Sequence, residues 1–159
     1  MRQLVDEAIL KIKTEHPSYI IYTASIWTDA ESAASAVNFD SEESSIQKVA
    51  KSNEWNKKHY ERLLNEGNID QAQLYLPEEG RNTNPADFEL RDYVELDNKS
   101  FQINWESETD GECWDILEHE LKEIGEYAFV KIKQLNIHAD FELAVNGRQD
   151  WYEFTWRVD

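Results

Sequence analysis

The residues of this chain that could carry chemistry are concentrated in one acidic stretch, WESETDGECWDILEHE, which runs from Trp105 to Glu120. Carboxylates alternate along its first half and lead through a glycine into a segment with helical periodicity. Such a stretch is typical of three things: a calcium-binding loop, the start of a helix, or an acidic surface that binds a basic partner.

The calcium-loop interpretation depends on which residues occupy the ligand positions. Counting from Glu106, carboxylates occupy positions 1, 3 and 5 (Glu106, Glu108 and Asp110) and a glycine occupies position 6, as at the start of an EF-hand loop. Position 12, which should supply a bidentate glutamate, is Leu117, and the preceding FQINW is predicted to be a strand rather than a helix. We therefore expect no specific calcium site, and we expect neither a metal nor a cofactor elsewhere in the chain.

The helix-start interpretation needs no metal. Thr109 is followed three residues later by Glu112, which is the pattern of a capping box. Acidic residues in the first turn are also favoured by the positive end of the helix dipole. Helix-start chemistry accounts for Asp110, Glu112 and Asp115, but it leaves the later glutamates of the stretch unexplained.

The helix that follows is predicted to have two different sides, because residues spaced at 100° fall on distinct faces. The buried side is predicted to be an apolar stripe of Leu117, Leu121, Ile124, Ala128 and Leu135. The opposite side forms an acidic face made up of Glu112, Asp115, His119, Glu126 and the adjacent Glu123.

Charge is strongly concentrated in this part of the chain. Between Trp105 and Glu126 there are nine acidic residues and one basic residue, so the segment contributes −8 of the formal net charge of −17. A solvated surface is the commoner explanation of a run of charge, but like charges at four-residue spacing destabilise a helix and only Lys122 offsets them. We therefore predict that a partner binds through Glu106, Glu108, Asp110, Glu112, Asp115, Glu118, His119, Glu123 and Glu126.

The sequence contains no arrangement typical of catalysis. It has no HExxH motif, no pair of cysteines and no glycine-rich phosphate loop. The lone Cys113 has acidic surroundings, which raise the pKa of a thiol, so we interpret it as a structural residue. His119 lies four residues from both Asp115 and Glu123 and is interpreted as a surface ion-pair residue. We expect a non-enzymatic protein without catalytic residues.

Composition limits the class of protein and its partners. The chain has 159 residues, of which 40% are hydrophobic and 12% aromatic, enough for one hydrophobic core and unlike a disordered acidic chain. A net charge of −17 repels nucleic acids and anionic membranes and favours a basic protein partner, although acidity also serves solubility. No segment resembles a membrane span, and Asp6 and Glu7 interrupt any secretory signal, so we expect a cytoplasmic protein without a membrane partner.

Periodicity predicts the elements that position the acidic stretch. A first helix should end at His16-Pro17, and YIIYTASIWT and SAVNFD should form a hairpin. Next should come one or two helices that start at Asp40 or Ser41 and stop before Gly67, then a loop, LPEEGRNTNPAD. Further strands are predicted at FELRDYVEL, FQINW, DFELAVNG and WYEFTWRV. We predict a single α+β domain over residues 1–159, with a mainly antiparallel sheet packed against three or four helices.

The aromatic end of the chain, DWYEFTW, permits two interpretations. Trp151 lies on the opposite side of the predicted strand from Tyr152, Phe154 and Trp156, and could form a binding surface. The simpler interpretation is that the other three aromatic residues are core and that Trp151 covers an edge of the sheet. We favour the simpler interpretation.

The order of segments along the chain resembles small bacterial proteins of an uncharacterised family, known only as a domain of unknown function. The segments are HPSYIIYTASIWTD, a short second strand, a helix with an acidic cap, NPADFELRDYVELD and DFELAVNGRQDWYEFTW. Such proteins are similar in size, charge and α+β character to the small acidic antidotes, or immunity proteins, of polymorphic-toxin systems. The resemblance spans most of the chain and implies no catalytic residues.

Our leading hypothesis is therefore an immunity protein that occludes a basic toxin domain, with the carboxylates from Glu112 to Glu126 and the preceding loop pairing with lysines and arginines. Two alternatives remain open. One is a small enzyme or ligand-binding domain with a pocket between sheet and helices. The other is a nucleic-acid mimic that competes for a basic groove.

Overall fold

The structure, a computed structural model, describes residues 1–105 and 113–158. Contacts divide the chain into a larger unit, residues 1–42 and 83–159, and a smaller unit, residues 43–82. The helices are α1 (Arg2–Glu15), α2 (Glu42–Asn65), α3 (Ile69–Ala72) and α4 (Cys113–Ile132). The strands are β1 (Ile21–Asp29), β2 (Ala34–Asp40), β3 (Leu90–Asp97), β4 (Ile137–Val145) and β5 (Phe154–Arg157). The predicted α+β class is confirmed.

The larger unit is built on a mixed sheet in the order β3-β2-β1-β4-β5. The predicted hairpin is confirmed as the antiparallel pair β1–β2. The last two predicted strands, DFELAVNG and WYEFTWRV, are present as β4 and β5 and form a second antiparallel pair. β3 is also antiparallel to β2, whereas β1 and β4 run parallel side by side. The parallel pair brings the carboxyl ends of β1 and β4 to the same end of the sheet.

Two helices cover one face of this sheet. α1 buries Leu4, Val5, Ala8 and Ile12, and ends just before His16 and Pro17 as the pattern predicted. α4 buries four of the five residues of the predicted apolar stripe, and the fifth, Leu135, lies beyond the helix and packs partly buried against the core. The sheet packs against these two helices through large buried side chains, which are Ile26, Phe39, Phe141, Leu143 and Val145.

The opposite face of the sheet is also buried, but it is polar. Thr23, Ser25 and Asn38 are all fully buried. The side-chain carbonyl of Asn38 accepts the Asp92 backbone N–H at 2.7 Å, where the register between β2 and β3 shifts. Glu142, also buried, accepts a hydrogen bond from the exposed Arg157 side chain at 2.7 Å. Hydrogen bonds of this kind offset the cost of removing polar groups from water.

In the smaller unit, α2 is one continuous helix, which settles the choice between one helix and two. The helix ends at a glycine, as predicted: Gly67 has a φ of +78°, a conformation that glycine adopts without strain. The rings of Trp55 and His59 lie 3.7 Å apart between centroids, and Trp55 is 51% exposed.

The predicted strand FQINW is wrong. The backbone N–H of Ile103 donates to the carbonyl of Phe101, and that of Trp105 donates to the carbonyl of Ile103. These bonds form successive tight turns, so the alternation of Phe101, Ile103 and Trp105 does not mark an extended chain. Ile103 and Trp105 pack against the core, whereas Phe101 is exposed. In the described ranges, no helix is both long and apolar enough to cross a membrane.

Candidate functional site

Helix α4 presents the described part of the acidic face because its other side is anchored in the core. Leu121 and Ala128 are fully buried, and Cys113 is buried at its first residue. Gly125 allows the helix to approach β5 closely, since a Cβ at this position would lie 2.1 Å from the Trp156 ring. The helix backbone that carries the carboxylates is therefore held by packing.

The described members of the acidic face all point to solvent. Asp115, His119, Glu123 and Glu126 are exposed. The His119 Nε2 and Glu123 Oε1 atoms lie 3.4 Å apart, in the surface ion-pair arrangement that the spacing predicted. Within the parts of the chain that the structure describes, neither Asp115 nor Glu126 has an ion-pair or hydrogen-bond partner. Their charges are available to an incoming cation.

Glu118 belongs to a different surface. It is half-buried, and its Oε1 accepts the backbone N–H of Arg148 at 3.4 Å. The remaining predicted partner-binding residues, Glu106, Glu108, Asp110 and Glu112, lie outside the described residues, as do the EF-hand-like loop and the predicted capping box. In the described ranges, no cluster of histidine, cysteine and carboxylate side chains is suited to hold a metal ion.

Cations border the acidic face toward the end of α4. The Tyr127 hydroxyl donates to Asp6 of α1 at 2.7 Å, and this hydrogen bond raises the pKa of Tyr127. The Arg2 guanidinium lies 5.2 Å from the centroid of the Tyr127 ring, and the Lys131 ammonium lies 5.4 Å from it. The acidic character of this side of the helix thus ends near Glu126.

A cleft that sequence reasoning missed lies at the carboxyl ends of β1 and β4. It has a volume of about 610 Å³, and three tryptophans, Trp27, Trp114 and Trp151, line it. We name it the tryptophan cleft after these three residues. Trp27 and Trp114 are half-buried, Trp151 is 52% exposed, and the Trp27 and Trp151 ring centroids lie 6.0 Å apart at 78°.

Hydrogen bonds join the two strand ends that form the floor of the tryptophan cleft. The backbone N–H of Thr28 donates to the Asn146 side-chain carbonyl at 2.8 Å, and the Asn146 amide donates back to the Thr28 carbonyl at 2.9 Å. Both residues are buried, and this reciprocal pair ties the end of β1 to the end of β4. The loop above them is closed by a bond from the Gly147 N–H to the Asp150 carbonyl at 3.0 Å.

Carboxylates also line the tryptophan cleft. Asp29 Oδ1 accepts the backbone N–H groups of Glu31 at 2.8 Å and Ser32 at 3.2 Å. Asp150 Oδ1 accepts the N–H of Tyr152 at 3.0 Å. Each aspartate is thus oriented through one oxygen, and the other oxygen makes no hydrogen bond to any described residue.

The terminal aromatics divide between core and cleft. Phe154 and Trp156 pack against the core as predicted, and Tyr152 is half-buried. Trp151, predicted to cover a sheet edge, forms a wall of the tryptophan cleft instead. The available signal was weak: Trp27, Trp114 and Trp151 are far apart in sequence, and only the pairing of β1 with β4 brings two of them together.

A second cavity, of about 550 Å³, lies between the start of α1, α4 and the segment after β3. Its walls include the apolar residues Leu96, Phe101 and Leu117, together with Glu120 and Glu123 of α4. Glu123 therefore belongs both to the acidic face and to the rim of this cavity.

No protein-family model matches the chain, and the searches of curated proteins and of solved structures found no significant match. The resemblance to a family of unknown function and to immunity proteins thus stays a prediction.

Proposed function

We propose that this protein is a non-enzymatic, cytoplasmic binding protein that captures a basic protein partner on the acidic face, in the manner of an immunity protein that occludes a toxin domain. The observation that carries the proposal is the exposure of Asp115, Glu123 and Glu126 on a helix anchored by its other side. Two of these carboxylates, Asp115 and Glu126, have no ion-pair partner in the described part of the chain.

The physical basis is electrostatic complementarity. Two opposite charges 4 Å apart near a protein surface attract by about 4 kcal/mol before desolvation is subtracted, so the net affinity per pair is far smaller. The larger effect is on the rate of encounter, because a concentrated acidic surface steers a basic partner toward it. Occlusion would follow when lysines and arginines of the toxin active site pair with the carboxylates.

Charge reversal on the acidic face tests this proposal. Changing Asp115, Glu123 and Glu126 to lysine alters each charge by +2, so the net charge moves by +6 from −17 to −11. These side chains lie off the buried stripe, and lysine is as good a helix former as glutamate, so the fold should be preserved. A matched control reverses Glu54, Glu61 and Glu79, which are also exposed and have no hydrogen-bond or ion-pair partner among the described residues.

The measurement is surface plasmon resonance against the protein encoded by the adjacent reading frame. We expect the acidic-face variant to associate at least about tenfold more slowly, the control to keep most of the wild-type rate, and wild-type association to slow as salt rises. Equal loss of binding in both variants, or no loss in either, would show that the acidic face is only solvated. An adjacent frame encoding a metabolic enzyme instead of a basic toxin-sized protein would also count against the proposal.

The alternative of a small enzyme or ligand-binding domain is favoured by one observation. The second cavity has Leu96 of β3 on one wall and Leu117 of α4 on another, so it borders both the sheet and a helix, as a pocket for a small ligand would. Native mass spectrometry of the purified protein would test this alternative. A co-purifying small molecule that is lost on Leu117→Trp, a substitution that fills the cavity, would favour it over the immunity role.

A further inference from the structure

We propose that the tryptophan cleft binds the guanidinium group of an arginine side chain presented by a protein partner. The inference depends on the walls, the charges and the floor of the cleft. It does not require the acidic face to be a binding surface, and the two sites can be tested separately.

The aromatic walls favour a cation. The face of an indole ring carries partial negative charge, and tryptophan attracts cations more strongly than tyrosine or phenylalanine does. Trp27 and Trp151 meet edge to face, with an interplanar angle of 78°, so their ring planes are steeply inclined to each other. Trp114 of α4 lines the same space. A group that enters the cleft is therefore bordered by three indole rings, two of which differ in orientation by 78°.

The charges of the cleft also favour a cation. Asp29, Glu31 and Asp150 contribute −3 and Arg148 contributes +1, so the lining carries a net charge of −2. Within the described ranges, none of these three carboxylates forms an ion pair. A positive ligand would gain both the ring faces and at least one carboxylate oxygen that is already oriented by the backbone.

The combination of flat rings and oriented carboxylates distinguishes arginine from lysine. A guanidinium group is planar, stacks on an aromatic face and at the same time donates hydrogen bonds from its edge. An ammonium group is more strongly hydrated and cannot stack, so it gains less from an indole wall. The lining of the cleft combines indole rings with Asp29 and Asp150, each of which has one oxygen without a hydrogen bond to any described residue, and this combination fits the flat cation better.

The cleft is suited to a side chain that arrives from outside. Its volume of about 610 Å³ exceeds that of one arginine side chain, and Trp151 remains 52% exposed on its outer wall. The reciprocal hydrogen bonds of Thr28 and Asn146 fix its floor before any ligand arrives. A preformed floor with a solvent-facing wall matches a projecting arginine of a polypeptide, because little ordering of the site is needed on binding.

The first experiment uses the full chain, labelled with ¹⁵N, and observes the six indole N–H signals by NMR. The probe is acetyl-Gly-Arg-Gly-amide, with the citrulline peptide as a neutral control of the same shape and the lysine peptide as a second control. We expect the arginine peptide to shift the signals of Trp27, Trp114 and Trp151 saturably, the lysine peptide to bind at least about threefold more weakly, and the citrulline peptide to have no effect.

The second experiment separates charge from shape. Asp29→Asn and Asp150→Asn keep the Oδ1 acceptor of each local hydrogen bond and remove only the charge, so the loops should keep their conformation. Each substitution should weaken the affinity for the arginine peptide about three- to tenfold, and Trp151→Ala should weaken this affinity about tenfold. The matched control is Trp55→Ala, because Trp55 lies in the smaller unit and its exposure of 51% is nearly that of Trp151. This control should leave binding unchanged.

Several results would overturn the proposal. They are equal shifts with the citrulline peptide, equal affinity for the lysine peptide, shifts confined to other tryptophans, or full binding by Trp151→Ala. Binding of free arginine without binding of the peptide would show a small-molecule site and would also overturn the docking assignment. Loss of toxin binding in the acidic-face variant leaves all these peptide measurements unaffected, so failure of one proposal is distinguishable from failure of the other.

Discussion

The close approach of α4 to β5 at Gly125 predicts an unusual response to substitution. In an ordinary helix interior, glycine to alanine stabilises by about 1 kcal/mol because alanine loses less backbone entropy. Here a Cβ would lie 2.1 Å from Trp156 Cη2 and 2.4 Å from Cζ3. Carbon atoms in contact prefer about 3.5–4.0 Å, so the Trp156 ring would have to move by more than about 1 Å.

The expected size of the effect follows from two opposing contributions. Overpacking of a filled site costs about 1–3 kcal/mol, and the overlap at Gly125 involves three ring atoms of Trp156 rather than one. The three-atom overlap places the cost in the upper part of this range, about 2–3 kcal/mol. Subtracting the gain of about 1 kcal/mol in helix propensity leaves Gly125→Ala destabilising by about 1–2 kcal/mol. In a Trp156→Leu background the obstruction is gone, so the same substitution should stabilise by up to about 1 kcal/mol.

Urea unfolding followed by far-UV circular dichroism measures this double-mutant cycle, because the removal of Trp156 does not alter the helical signal. The sign of the effect of Gly125→Ala should reverse between the two backgrounds. If Gly125→Ala stabilises the wild type, or has the same effect in both backgrounds, then the contact between α4 and β5 does not hold the helix in place. The acidic face would then lose its rigid support.

Two further predictions concern buried groups. Cys113 packs in the core, and no chemical role is proposed for it. Cys113→Ala should therefore keep partner binding and lower the free energy of unfolding, measured by urea denaturation, by on the order of 1 kcal/mol. A folded Cys113→Ala variant that fails to bind the partner would refute this prediction. Burial, followed by the hydrogen bond to Glu15, raises the pKa of Tyr93 from 10.0 to about 12. The unfolded chain therefore releases this proton at a lower pH than the folded protein, so the associated stability is complete below pH 10 and is lost as the pH rises toward about 12. Tyr93→Phe should make unfolding free energy fall less steeply over that interval, and an unchanged slope would contradict the assignment.

Local patterns along the sequence determined most of the helices and strands. The spacing of Leu4, Ala8 and Ile12 and the position of Pro17 define α1 and its end without reference to the rest of the chain. The β1–β2 hairpin and the β4–β5 pair are likewise local, since short connections favour antiparallel neighbours. The two sides of α4 also followed from periodicity, because a helix places every third or fourth residue on one face.

Longer-range relations were decided only by the tertiary structure. FQINW has the alternation of a strand, but a strand also needs a neighbour for its backbone hydrogen bonds, and the N–H groups of Ile103 and Trp105 are satisfied by turns instead. On β1, alternation separates Thr23 and Ser25 from the apolar row of Ala24 and Ile26, and both polar residues are fully buried in the structure. Whether a polar row faces water depends on what lies over it, and that information is absent from the strand itself.

The candidate sites divide in the same way. The exposed carboxylates of α4 could be predicted because they share one helix, whereas Glu118 turned out to contact the loop after β4 at Arg148. The tryptophan cleft could not be predicted, because Trp27, Trp114 and Trp151 lie on three segments separated by many residues. They meet because β1 and β4 pair in parallel and α4 begins beside their carboxyl ends. The parallel pairing is stabilised by the packing of the whole sheet against its helices, so no local pattern specifies it.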